Sequence, residues 1–351
     1  MKVIHIESGL GNQMLSYCEY LALKSLHPDE DIYIETMVYD IPKCNEVIRQ
    51  WNGYELKRIF GIDAPNIKEV FTAEQWKQIM KEVNASEFWN LAKHNWNYPV
   101  TFTKALNNAG LNLINVRGDF EASDVMAQCQ PNPNSIKYKL RHCLPYYYLQ
   151  AYKRRRAAEI NTKALYNLLF DKTKKDVFTG QRLLFKYKGA GIEKIENQIR
   201  TSFVFPQFDD KKNIDAWNEI RNCNSVAIHA RRGDMLGSNG LYYQTGFFKR
   251  AMKFIKDHVE DPVFYIFCDP GSVQWAMDNA KVLGLNAQKD IIKFVDWNKS
   301  TDSYRDMQLM AACKHQVITN SSFGWWASWL NENPNKITIS PEYKINTTHT
   351  L

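Results

Sequence analysis

No two cysteines in this 351-residue chain are spaced as C-x-x-C, and the seven present are scattered and odd in number. Neither a zinc site nor a redox motif is therefore indicated. Cys18, Cys223 and Cys313 lie in apolar surroundings and read as reduced core residues. No apolar run reaches the ~18 residues needed to span a membrane. The opening "MKVIHIESGLGNQ" breaks into a glycine loop where a signal peptide would carry its apolar segment. The chain is expected to be cytoplasmic. It contains no internal repeat, no low-complexity tract, and neither the full G-x-G-x-x-G fingerprint nor the Gly-Lys-Ser/Thr ending of a P-loop. Charge of one sign is also modest. The net +7 is spread along the chain, which suits a polyanionic substrate such as a nucleotide, or a weak attraction to anionic membrane surfaces. The one dense basic run, "YKRRRAAEI" at 152–160, has no nucleic-acid-binding module beside it and reads as a solvated helix face.

What is present describes a soluble globular protein: 44% apolar and 24% charged residues, in a length that suits two α/β domains. A strand over 2–6, the loop "ESGLGNQ", a helix bearing Met14, Leu15, Cys18, Leu21, Ala22 and Leu26, and a strand over 32–36 make a β-α-β unit. Residues 40–200 show no order that can be read. Beyond 210 strands are predicted at 225–230, 262–269, 291–296, 316–320 and 336–340. Helices fall between them, among them one continuous helix over 242–259. Alternation of this kind predicts parallel, doubly wound sheets, with the domains divided as 1–205 and 206–351.

In such sheets ligands bind beyond the carboxyl ends of the strands. Three strands end in chemically suggestive residues: His229-Ala-Arg231-Arg232-Gly-Asp234, Asp269, and Asn320-Ser321-Ser322. Arg231 and Arg232 are planar, permanently charged forks suited to phosphate; an interdomain salt bridge is their structural alternative. Ser321 or Ser322 by default caps the helix it opens. That helix end also offers N–H groups and a positive dipole to an anion. Asp269 either caps the next helix or accepts hydrogen bonds from a purine. Gly9 and Gly11 allow backbone to approach a ligand closely. Phe323, Trp325 and Trp326 read as packing against the sheet. "DED" at 29–31 mimics a metal-binding Asp-x-Asp but sits in a charged turn and reads as solvated.

At these residues the sequence resembles the α1,2-fucosyltransferases, glycosyltransferase family 11. His229-x-Arg231-Arg232-x-Asp234 is similar to the family's H-x-R-R-x-D, "SGLGNQM" to its N-terminal glycine loop, and 306–330 to its long C-terminal motif. Tyr242-Tyr243 falls where the family places paired tyrosines. The resemblance implies a GT-B-like fold, in which two Rossmann-like domains face each other across a cleft. The C-terminal domain would hold GDP-fucose and the N-terminal one would shape the acceptor site. It implies inverting, metal-independent transfer of L-fucose to the 2-hydroxyl of a terminal galactose, with no cofactor.

Arg231 would then meet the β-phosphate and the breaking bond. Arg232, Ser321 and Ser322 would assist the diphosphate, with His229, Asp269, Asn320 and Phe323 near the nucleotide. Asn12, in the loop of Gly9, Gly11 and Gln13, inherits a place at the reacting centre from an Asn of the related protein O-fucosyltransferases. Asp234 is expected either to act as general base or to orient an arginine. The chain departs from the family pattern at Pro270, at Glu7-Ser8 and at Gly324. Other readings are transfer in an α1,6 or protein O-linkage, a non-catalytic nucleotide- or glycan-binding protein, or a nucleic-acid binder; the last is disfavoured. A bacterial-type enzyme is expected, at most peripheral at the inner membrane face and acting on lipid-linked glycans.

Overall fold

The computed structural model describes residues 1–47, 52–90, 98–116, 134–141, 143, 145–146, 148–149, 152–153, 175–180, 192–233 and 236–341. The chain divides into two compact units. One consists of Met1–Met126 and Lys153–Val204, and the other chiefly of Ala127–Tyr152 and Phe205–His349.

The first unit is built on strands β1 (Lys2–His5), β2 (Ile32–Glu35), β3 (Ile114–Asn115) and β4 (Val177–Thr179). They lie in the order β2-β1-β4-β3 and every pairing is parallel. β1 is buried along its whole length, as a strand covered on both faces requires. The helix Leu10–Leu26 makes the crossover to β2, burying Met14, Leu15, Cys18, Ala22 and Leu23. Leu26, assigned to this face from the sequence, is instead exposed at the last turn. Where β1 and β2 end side by side, the buried His5 shares a short hydrogen bond with the Glu35 carboxylate, and its Nε2 lies 3.8 Å from Glu7. Burial opposes a charge on this imidazole, but the two carboxylates outweigh it and raise its pKa.

The second unit carries β5 (Asn224–Ala230), β6 (Pro262–Cys268), β7 (Ile291–Val295), β8 (His315–Val317) and β9 (Thr338–Ile339). Their order is β7-β6-β5-β8-β9, again all parallel. The chain winds outward from β5 in one direction and then in the other, so the sheet is doubly wound. The amphipathic Phe247–His258 helix presents Phe248, Ala251, Met252 and Ile255 to the core. The single helix predicted over 242–259 is two helices, Leu236–Gln244 and Phe247–His258. Gly246 between them adopts φ 74°, a left-handed conformation that breaks the helix and that glycine tolerates. Each unit is thus an α/β layer with a parallel sheet.

Below the glycine loop, Gln13 is fully buried and its amide is spent on backbone. Nε2 donates to the carbonyls of Ser8 at 2.9 Å and Gly53 at 2.8 Å, and Oε1 accepts the Glu55 N–H at 2.8 Å. These bonds brace a loop in which Ser8 has φ 69°. Buried polar groups left without partners cost roughly 1–3 kcal/mol each. Gln13→Leu, similar in size, is therefore expected to lower stability by about 3 kcal/mol. Urea denaturation measures this, and an unchanged midpoint would show that the loop is braced elsewhere.

Candidate active site

The order of the second sheet reverses between β5 and β8, and open α/β sheets bind ligands in the crevice outside such a switch point. Arg231 and Arg232 leave the carboxyl end of β5, Thr319 to Ser322 leave that of β8, and Asp269 leaves that of the neighbouring β6. The described rim residues of this unit, Asp234 apart, are therefore brought together by its topology.

Asp269, nearly fully buried, holds this rim in place. One oxygen binds the Arg231 guanidinium in a short ion pair, and the other accepts the backbone N–H of Arg232 at 2.5 Å. The next helix, Val273–Asp278, is instead entered through Ser272 without a side-chain cap. Helix capping, one of the roles expected for Asp269, is thus replaced by a clamp on the end of β5. Gly233 belongs to the same arrangement. A Cβ added there would sit 3.1 Å from the Asp269 carboxyl carbon.

The peptide between the two arginines is held from the other side as well. The Arg231 carbonyl accepts hydrogen bonds from Tyr243 Oη at 3.1 Å and Asn239 Nδ2 at 3.0 Å. The Arg232 guanidinium lies 3.4 Å from the ring centroid of Trp275 and 5.1 Å from that of Tyr243, within cation–π range. Burial lowers its pKa, but an arginine starts so high that it stays charged. Burial likewise raises the pKa of Tyr243, which keeps its hydroxyl a neutral donor. Tyr243 was reachable through the tyrosine pair. Asn239 and Trp275 carried no signal, being polar and aromatic positions within ordinary helical pattern.

On the β8 side Ser321 is the N-cap of the Ser322–Leu330 helix, but its hydroxyl makes no capping hydrogen bond. The default role predicted for this serine is therefore not the one observed. Asn320, Ser321, Ser322 and Phe323 are half-buried, whereas Trp325 and Trp326 are core residues. Phe323 departs from the core packing predicted for it, its ring lying 5.8 Å from the His229 imidazole.

His229 is buried, its carbonyl accepts the Thr319 hydroxyl at 3.2 Å, and its Nδ1 has no hydrogen-bond partner. Burial, reinforced by Arg231, pulls its pKa down to about 3. A Cβ on Gly324 would stand 2.5 Å from that Nδ1. Glycine at 324 thus leaves the imidazole its place.

The first-unit candidates sit at the carboxyl end of β1. Gly9 starts the long helix with open space before its Cα, Gly11 is buried, and Asn12 is half-buried with its N–H on the Gly9 carbonyl at 2.9 Å. Gln13, grouped with the donor-site candidates by the family resemblance, spends its side-chain amide on backbone. Asp234 lies outside the described residues. In the "DED" turn Asp29 and Asp31 are exposed, and Glu30 pairs with Lys2 at 3.1 Å. Cys18 and Cys313 are buried as expected, while Cys223 is only partly so.

Residues 198–348 match the sequence model of glycosyl transferase family 11. That segment is the part of the chain that resembles the family. It is 31% identical to an Escherichia coli α-1,2-colitosyltransferase over 128 residues, which is 35% of this chain and 41% of the relative. It is 30% identical to the Escherichia coli O-antigen biosynthesis glycosyltransferase WbnK over 125 residues, 34% of this chain and 39% of that one. With galactoside α-(1,2)-fucosyltransferase 1 of Saimiri sciureus it shares 27% over 110 residues, 30% and 28% of the two chains. The match thus spans about two fifths or less of each relative's length. Among solved structures, the NodZ α-1,6-fucosyltransferase soaked with GDP-fucose superposes with a TM-score of 0.44 at 9% identity, over 94% of this chain and 91% of that one.

Because the folded pKa of His229 lies below the unfolded value of about 6.5, the unfolded chain takes up the proton first. Its contribution to stability is complete above pH ~6.5 and is lost as the pH falls toward 3. Between pH 7 and 5 this amounts to about 2 kcal/mol. Denaturant midpoints at the two pH values should show the wild type losing that much more stability than His229→Gln. Equal pH dependence in both would remove His229 as its source.

Proposed function

We propose that the chain transfers L-fucose from GDP-β-L-fucose to the 2-hydroxyl of a terminal galactose, inverting the anomeric carbon. The observation that carries this reading is Arg231, aimed by Asp269, at the switch point of a sheet whose sequence matches the family 11 model. The acceptor oxygen attacks the anomeric carbon from the face opposite the diphosphate. That forms the α-glycosidic bond, and the bond to the β-phosphate breaks with its electron pair leaving on GDP. Arg231 offsets the charge developing there. The N–H groups of the Ser322–Leu330 helix and the charge of Arg232 support it.

A guanidinium and backbone donors suit a diphosphate leaving group without a metal ion, and we propose metal-independent transfer with no cofactor. Asn12 meets the reacting centre, with Gly9 and Gly11 letting the backbone of its loop come close to the donor. Asp234 takes the acceptor proton or orients an arginine; in Asp234→Asn, loss of the acidic limb of the pH profile with GDP affinity kept marks the base. The acceptor is a galactose-terminated glycan, lipid-linked and met at the inner membrane face.

A second reading follows from the colitosyltransferase relative. Colitose is 3-deoxy-L-fucose, and in this reading the site residues act on the leaving diphosphate rather than on carbon 3 of the sugar. GDP-colitose is therefore the alternative donor to compare.

GDP release from GDP-fucose, measured in EDTA with lactose or N-acetyllactosamine, tests the reading. Arg231→Ala should bind nucleotide poorly and turn over about 10²–10³ more slowly. Arg231→Lys should also be poor, since an ammonium keeps the charge but loses the fork. Asp269→Asn should lose turnover more than GDP affinity. Wild-type turnover in Arg231→Ala, or no GDP binding by the native chain, would sink the assignment.

A further inference from the structure

Six exposed large hydrophobic side chains fall within one short stretch: Ile136, Leu140, Tyr146, Tyr148, Leu149 and Tyr152, with exposures from 37% to 77%. Ile136 and Leu140 are four residues apart on the Ile136–Arg141 helix, so they share one face, and both point to solvent. Lys139 and Lys153, in the same stretch, are exposed too. The sequence around them is one-sided in charge. From Val125 to Ala158 there is no Asp or Glu, while Lys137, Lys139, Arg141, Lys153, Arg154, Arg155 and Arg156 are all basic.

Exposed aliphatic and tyrosine side chains in a stretch of sequence rich in cations and free of acids match what an anionic bilayer surface offers. Its headgroups attract the cations, and its interface takes up tyrosine and leucine. A nucleic acid would reward the cations but not Ile136, Leu140 and Leu149. No helix among the described residues is long and apolar enough to cross a membrane, so the contact is with a surface. We propose that the surface carrying Ile136, Lys139, Leu140, Tyr146, Tyr148, Leu149, Tyr152 and Lys153 docks the protein on an anionic lipid surface. This assignment does not rest on the transfer reaction.

Co-sedimentation of the full chain with phosphatidylcholine vesicles, with and without about 30% phosphatidylglycerol, tests it. The wild type is expected to bind the anionic vesicles only, and less at high salt. Leu140→Glu with Leu149→Glu should weaken binding at least tenfold. Lys139→Glu with Lys153→Glu should weaken it by about fivefold or more per cation. Both variants alter exposed positions and should keep the wild-type melting temperature and GDP affinity. The proposal is overturned by absence of binding, by equal binding to neutral vesicles, or by unchanged binding of the variants. It is also overturned if a single-stranded oligonucleotide binds as tightly through the same residues. A dimer that the double glutamate variant dissolves, with no vesicle binding, would instead assign the face to self-association.

Discussion

The end of β5 is placed by a single buried carboxylate. Asp269 binds the side chain of one arginine and the backbone of the next, so it fixes both where Arg231 points and how the strand leaves the sheet. Tyr243 and Asn239 hold the far side of the same peptide, and Trp275 stacks on Arg232. With the peptide tied on both faces, the direction of the guanidinium is settled during folding rather than at the moment a ligand arrives. That is the condition under which a fixed charge is most effective at a reacting centre. Gly233, which passes close beside the Asp269 carboxyl, belongs to the same construction.

The carboxyl edges of the two sheets solve their electrostatics in opposite ways. His5 stands between Glu35 and Glu7, with Tyr98, Phe102 and Phe178 around it, and its pKa is raised. His229 lies beside Arg231 with no carboxylate on its ring among the described residues, and its pKa is depressed. The same residue type is thus pushed toward a buried cation at one strand end and toward a neutral imidazole at the other. The positive charge of the second edge is left to the arginines, whose charge does not change with pH. Stability from His229 fades in acid, whereas that from His5 is present in acid and fades as the pH rises through its folded value.

Much of the second unit was legible because long apolar runs alternate with amphipathic helices; each strand was located to within a few residues of its ends. The first β-α-β unit was legible for the same reason. β3 and β4 were not. Strands of two and three residues carry no periodicity, and β4 finds its partner β1 some 175 positions away. At the site, Arg231 could be read because it ends an apolar strand. Asp269 was located but not understood, since its grip on β5 depends on the pairing of Ala230 with Cys268 across the sheet. Gln13 lay in a recognisable loop, yet its partners Gly53 and Glu55 are 40 and 42 positions distant. Trp275 looks like any other apolar helix residue until Arg232 is placed on it.

Gly324 lies in the first turn of the Ser322–Leu330 helix and abuts the imidazole of His229, leaving no room for even one more carbon. Two positions 95 residues apart in the chain are therefore sterically coupled. Any side chain at 324 has to be accompanied by a smaller or rotated group at 229, or the helix must draw back from the strand and carry its dipole away from the arginines. A change tolerated at either position alone would have to find its compensation at the other.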